Sequence, residues 1–150
     1  MKHLLTREQI VARPPSEVFA FFADPQNLER ITPSSLRFRI RSPLPIEMRP
    51  GAVIDYDLSL FGVRFGWRTV IERFDPPHSF VDVQARGPYR LWRHTHEIAE
   101  APGGGTRIAD RVEYELPLGP LGEIAHRLFV ARQLRHIFDH RREVIAELFG

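Results

Sequence analysis

The chain predicts an α+β fold in which a meander of antiparallel strands is followed by one long helix. Three observations predict it. Between residues 36 and 116, successive segments alternate apolar with polar side chains, the period of half-buried strands. Short turns rich in Gly and Pro separate those segments, and no helical stretch intervenes that would signal a doubly wound sheet. The stretch from Leu121 to Phe149 contains no Pro, and it places Leu121, Ile124, Leu128, Leu134, Ile137, Phe138, Ile145 and Leu148 at three- and four-residue spacing.

Taken in order, Leu4 to Ala12 reads as a first strand that Pro14 and Pro15 end. Ser16 is the expected N-cap of a short helix with Val18, Phe19, Phe21 and Phe22 on its apolar face. Asp24 and Pro25 open a second short helix that stops before Thr32 and Pro33. Leu36, Phe38 and Ile40 then alternate with Arg37, Arg39 and Arg41, predicting a strand with a basic outer face. The next strand carries Ile54, Tyr56, Leu58 and Leu60 inward and Asp55 and Asp57 outward, turns at Phe61 and Gly62, and returns with Phe65, Trp67, Thr69 and Ile71 on one face. Phe80, Asp82 and Gln84 share the face of another strand. Gly87 and Pro88 make the next turn, and Gly103 to Gly105 make the last hairpin. Ile108, Asp110, Val112, Tyr114 and Leu116 line the final strand.

Composition excludes several classes of function. With 150 residues, 43% of them hydrophobic, the chain suits one domain with a sizeable core, expected to span residues 1–150. No run approaches the roughly 18 apolar residues that cross a bilayer, and no leader pattern opens the chain, so a cytoplasmic protein without integral membrane association is expected. Without cysteine there is no disulfide framework, thiol nucleophile or thiolate metal site. Arginine supplies nearly all positive charge, Lys2 being the only lysine, yet the net charge is only +2. Arg37, Arg39 and Arg41 form the one basic stripe, and Asp55 and Asp57 on the neighbouring strand are placed to neutralise it, so nucleic-acid binding is not expected.

The most informative segment runs from Trp67 to His96. Trp92, His94, His96 and Ile98 fall on one strand face, opposite Arg93, Thr95 and Glu97. A core built only for stability rarely sets two histidines beside a tryptophan, because each buried ring nitrogen needs a partner. The pattern predicts the wall of a ligand pocket, with His94 and His96 in a polar network with Asp110 and Tyr114 of the last strand. A carboxylate beside an imidazole fixes its tautomer and tunes its pKa. Two other chemistries use the same residue types. His94, His96 and Asp110 have the ligand types of a two-histidine, one-carboxylate metal site. In a cyclase or dehydratase, His94 or His96 would be the general base, with Tyr114, Arg132 or Gln84 stabilising an enolate. Asp82 and Gln84 have a structural alternative, bonding the backbone of the Gly87–Pro88 turn. His136 and His140, one helical turn apart, are read as exposed. No nucleophile motif, phosphate loop or cofactor fingerprint is present, and no cofactor is expected.

The phrases VFAFFADPQNLERITP, GAVIDYDLSL, WRTVIERFDPP, FVDVQARGPYRLWRHTH and DRVEYELP resemble the START-like, or SRPBCC, superfamily that includes the birch-pollen-allergen proteins, and within it small bacterial cyclase/dehydrase-like members. The resemblance covers nearly the whole chain. It implies the helix-grip fold, a curved sheet of about seven strands around a long C-terminal helix with two short helices after the first strand. It further implies a hydrophobic cavity occupied by a lipid, quinone or polyketide-like molecule, and, since some relatives are fused to epimerase-like domains, work alongside a partner enzyme. The expected lining is Phe38, Tyr56, Leu58, Trp67, Trp92, Phe129 and Phe138, with His94, His96, Asp110 and Tyr114 orienting a polar group.

Overall fold

The computed structural model describes residues 1–150. Strand β1 (His3–Val11) is followed by helices α1 (Pro15–Phe22) and α2 (Asn27–Arg30), then strands β2 (Arg39–Ile40), β3 (Val53–Leu60), β4 (Val63–Asp75), β5 (Ser79–Arg86), β6 (Leu91–Glu100) and β7 (Thr106–Glu115). Helices α3 (Gly119–Ala125) and α4 (Ala131–Phe149) close the chain, joined without a break by a π-helical turn at His126–Val130. The strands form one seven-stranded antiparallel sheet in the order β1-β7-β6-β5-β4-β3-β2. This is the helix-grip arrangement.

Local chemistry accounts for the meander. Phe61 and Gly62, at φ 52° and 79°, make a two-residue turn whose twist matches the strands it joins. Register shifts at Arg68/Thr69 and Ile71/Arg73 bulge β4 against β5, and such bulges bend a sheet. The concave face meets α4 through Leu134, Phe138 and Ile145, all buried. At one end, α1 wedges between sheet and helix, where the Phe21 and Phe149 rings meet edge to face at 5.1 Å.

Three local readings are corrected. Helix α1 begins at Pro15 with Pro14 as its cap, and no side chain caps it, because a proline in the first turn lacks only an N–H that would have no intrahelical partner. The basic strand shrinks to Arg39–Ile40: Ser34–Leu36 form a 3₁₀ turn, and Arg37 takes a left-handed φ of 48°. The stripe is thereby broken, with Arg41 held by Asp57 at 2.5 Å while Asp55 pairs with Arg68 at 2.8 Å. The final helix is not uniformly α-helical. Its π turn inserts one extra residue, which shifts the phase of the preceding apolar positions, and Leu121, Ile124, Leu128 and Phe129 are exposed.

Candidate functional site

Three packed clusters leave a cavity of about 160 Å³ where they meet, between the concave sheet and α4. From β3 come Ile54, Tyr56 and Leu58, and from β4 Trp67, Thr69 and Ile71. Strand β5 contributes Phe80 and Asp82, and β6 contributes Trp92, His94 and His96. Phe138 and Arg141 of α4 form the opposite wall, while Phe22, Leu28 and Phe38 lie at the side of the two short helices. Aromatic rings dominate the contacts: Tyr56 lies nearly parallel to Trp67 at 5.8 Å, and Trp92 meets Trp67 edge-on at 5.4 Å.

The polar part of the wall follows from register. Asp82 lies opposite His94 across β5 and β6, and His96 lies opposite Asp110 across β6 and β7. Each histidine nevertheless bonds along the diagonal, a distance long side chains span across a sheet. His94 Nε2 donates to Asp110 Oδ1 at 2.8 Å, and His96 Nε2 donates to Asp82 Oδ2 at 2.6 Å. The two imidazoles stack at 3.7 Å, and Phe80 stacks on the far face of His96 at 4.0 Å. Arg141, only 8% exposed, reaches Asp110 Oδ1 at 3.4 Å, with its guanidinium over the rings of Phe22 and Phe138. Burial costs a charge dearly unless it is paired, so this set of groups stands or falls together.

The electrostatics follow the geometry. Burial would raise the Asp110 carboxyl, but the Arg141 charge and the His94 hydrogen bond hold it well below the usual carboxylate range. Burial and the neighbouring His94 push His96 down to about 4, against the pull of Asp82, so its imidazole is neutral at pH 7. Its Nδ1 then lies 3.6 Å from Asp110 Oδ1 with no hydrogen-bond partner, and Trp67 Nε1 and Arg141 Nε are likewise buried and unpartnered. Burial raises the phenols of Tyr56 and Tyr89, which stay protonated.

Several expected site residues stand elsewhere. Asp110 is behind the histidines rather than in the cavity wall, on the side of a surface groove lined by Arg7, Gln9 and Arg142. Tyr114 is buried one layer away and places its hydroxyl 2.8 Å from His126 Nε2, not beside His94. Phe129 is 55% exposed and packs on Phe61 at 6.0 Å, because the π turn carries it to the outer face. Arg132 is exposed on α4 and outside the cavity. Gln84 bonds the backbone of Tyr89 in both directions, at 2.6 and 3.0 Å, whereas Asp82 faces the cavity. Of the pair on α4, His136 is exposed and His140 half-buried.

For a metal, the carboxylate that joins the histidines is Asp82 rather than Asp110: donor atoms of Asp82, His94 and His96 lie within 4.8 Å of one another. Both histidine Nε2 atoms are engaged by carboxylates, so coordination through them would break those hydrogen bonds. A second group, His3, Glu123 and His126, meets the same distance limit outside the cavity, beside Tyr114. The residue that sequence reasoning missed is Arg141. Its signal was present, since it occupies the inward position of the stripe Leu134, Phe138, Arg141, Ile145, where a charge demands a buried partner.

The fold has known counterparts. The protein TTHA0849 from Thermus thermophilus is similar with TM-score 0.76 and 15% identity, over 97% of this chain and 95% of that one. A START superfamily protein from Mycobacterium smegmatis matches with TM-score 0.71 and 13% identity, over 97% and 99% of the two chains. A norcoclaurine synthase point mutant from Thalictrum, solved with a transition-state analogue, matches with TM-score 0.68 and 13% identity, over 98% and 96%. No curated protein sequence matches the chain. At these identities the likeness concerns the fold, START-like and SRPBCC in type. A family model described as polyketide cyclase/dehydrase and lipid transport matches residues 2–145, nearly the whole chain, and the chain therefore belongs to that family.

Proposed function

We propose that the chain acts as one ligand-binding domain that takes a hydrophobic or amphipathic small molecule into the cavity, sequestering it or presenting it to a partner enzyme. The observation that carries this reading is the cavity itself, with 17 of its 24 lining residues hydrophobic and a few convergent polar groups on one wall. Apolar burial supplies affinity, and the hydrogen-bonded wall of β5 and β6 orients the polar part of the ligand. The family description, which includes lipid transport, supports the same reading.

A second reading, a cofactor-free cyclase or dehydratase, draws support from one feature. The Asp82 carboxylate is oriented by His96 at 2.6 Å and borders the cavity, the position of a general base, although against the raising effect of burial the His96 hydrogen bond holds its pKa below the usual carboxylate value. Neither His96 nitrogen is as well placed, since Nε2 is engaged by Asp82 and Nδ1 faces Asp110. Native mass spectrometry of protein purified from its own host, with organic extraction and elemental analysis, tests these readings. A stoichiometric organic adduct without metal is the expected result. A stoichiometric transition metal that disappears on His94→Ala or His96→Ala would overturn it, and turnover of an extracted compound that Asp82→Asn abolishes would favour the enzyme.

A further inference from the structure

We propose that the cavity selects a compact planar molecule, of one or two fused rings, that carries an O–H or N–H donor, and that Asp82 is the residue that selects it. This inference rests on the cavity-binding reading above and narrows it to a ligand class. Volume, wall shape, hydrogen-bonding sense and charge all point the same way.

The cavity measures about 160 Å³. An apolar cavity of about 150 Å³ accommodates a benzene ring, whereas sites for drug-sized ligands run from about 300 to 1,000 Å³. A long acyl chain exceeds this space, and a diacyl lipid exceeds it further. The walls are flat aromatic faces, with Tyr56 and Trp67 nearly parallel at an interplanar angle of 15° and Phe138 opposite them on α4. Flat rings pack against such faces through offset stacking and edge contacts that a flexible chain does not match.

The polar sense of the site is set by Asp82. Its Oδ2 takes the hydrogen bond from His96, while Oδ1 receives none from the protein and is not among the buried atoms left without a partner. The side chain retains 18% exposure and borders the cavity. An ionised carboxylate oxygen only accepts, so a ligand group beside it must donate. Charge argues against an acidic head group. Two carboxylates, Asp82 and Asp110, stand against one guanidinium, and that guanidinium is engaged by Asp110 and held over two phenylalanine rings. With two carboxylates against one guanidinium, the net charge at this wall disfavours an incoming carboxylate.

Isothermal titration calorimetry on protein freed of endogenous ligand, with 2-naphthol, 2-fluoronaphthalene, 2-naphthoate and palmitate, tests the assignment. 2-Naphthol and 2-fluoronaphthalene are close in shape, but only the first donates. Wild-type protein should bind 2-naphthol at least about tenfold more tightly than 2-fluoronaphthalene, the scale of one hydrogen bond to a charged group. It should bind 2-naphthoate and palmitate more weakly than either. In Asp82→Asn the ratio of the two affinities should fall towards one, with far-ultraviolet circular dichroism showing that the variant is folded. The wild-type ratio decides donor selection even if that variant does not fold. Equal binding of the two naphthalenes, or tightest binding of palmitate, would overturn the ligand class and leave the cavity-binding reading standing. Failure of all four compounds to bind would overturn both.

Discussion

The two ends of the C-terminal helix carry apolar residues at the same helical spacing and meet opposite fates. In α4, Leu134, Phe138 and Ile145 are buried against the concave sheet, and Arg141 is drawn in with them. In α3 and the π turn, Leu121, Ile124, Leu128 and Phe129 face outward. The sheet end facing α4 presents aromatic rings and a paired-charge wall, a surface that both packs and leaves a cavity. Helical periodicity identifies a face, but the phase of the helix against its neighbour determines whether that face is buried, and one π turn is enough to change the phase.

The largest effect should come from the charged residue inside the packed end. Arg141→Ala removes the guanidinium partner of buried Asp110 and should cost about 3–5 kcal/mol, the usual penalty for leaving one member of a buried pair uncompensated. Urea unfolding of the variant reads it directly; a loss below about 1 kcal/mol would mean that Asp110 finds water or another donor. Next comes pH. The folded state holds His96 near 4, below its ordinary value, so between about 4 and 6.5 the unfolded chain binds a proton that the folded chain refuses. Stability should therefore be full above about pH 6.5 and fall as pH drops towards 4, by on the order of 3 kcal/mol for this group alone. Asp110, whose folded pKa is depressed, acts in the same direction at still lower pH. His96→Gln should flatten the slope between about pH 6.5 and 4, and an unchanged slope would assign the effect to other groups. The smallest effect should come from the other end of the helix. Phe129→Ala should change stability by no more than about 0.5 kcal/mol, as expected for an exposed side chain. A thermal melt showing a larger loss would mean that its contact with Phe61 holds the β3–β4 turn.

The strand pattern was legible because alternation is a local property. Inward placement of Tyr56, Leu58, Trp67, His94 and His96 follows from period two alone, and each lines the cavity. Phe38 lines it as well, although the strand expected to carry it is mostly a 3₁₀ turn and a left-handed residue. Asp110 and Tyr114 sit on the expected face of β7, and both are buried. Their partners were harder to read. His94 and His96 reach diagonally, so His96 takes Asp82 from β5 while Asp110 takes His94, and Tyr114 turns to His126. A set of residues on one strand face does not say which diagonal closes.

By itself the sequence determined the order of elements, the antiparallel meander, the inward set on β3, β4, β6 and β7 and the absence of thiol chemistry, since all of these depend on side-chain type, short-range spacing and turn residues. Only the tertiary structure decided the cavity volume, the recruitment of Arg141, the eviction of Phe129 and the pairing of Asp82 with His96. Those depend on strand register, sheet curvature and helix phase, which relate residues far apart in the chain and leave no periodic signature along it.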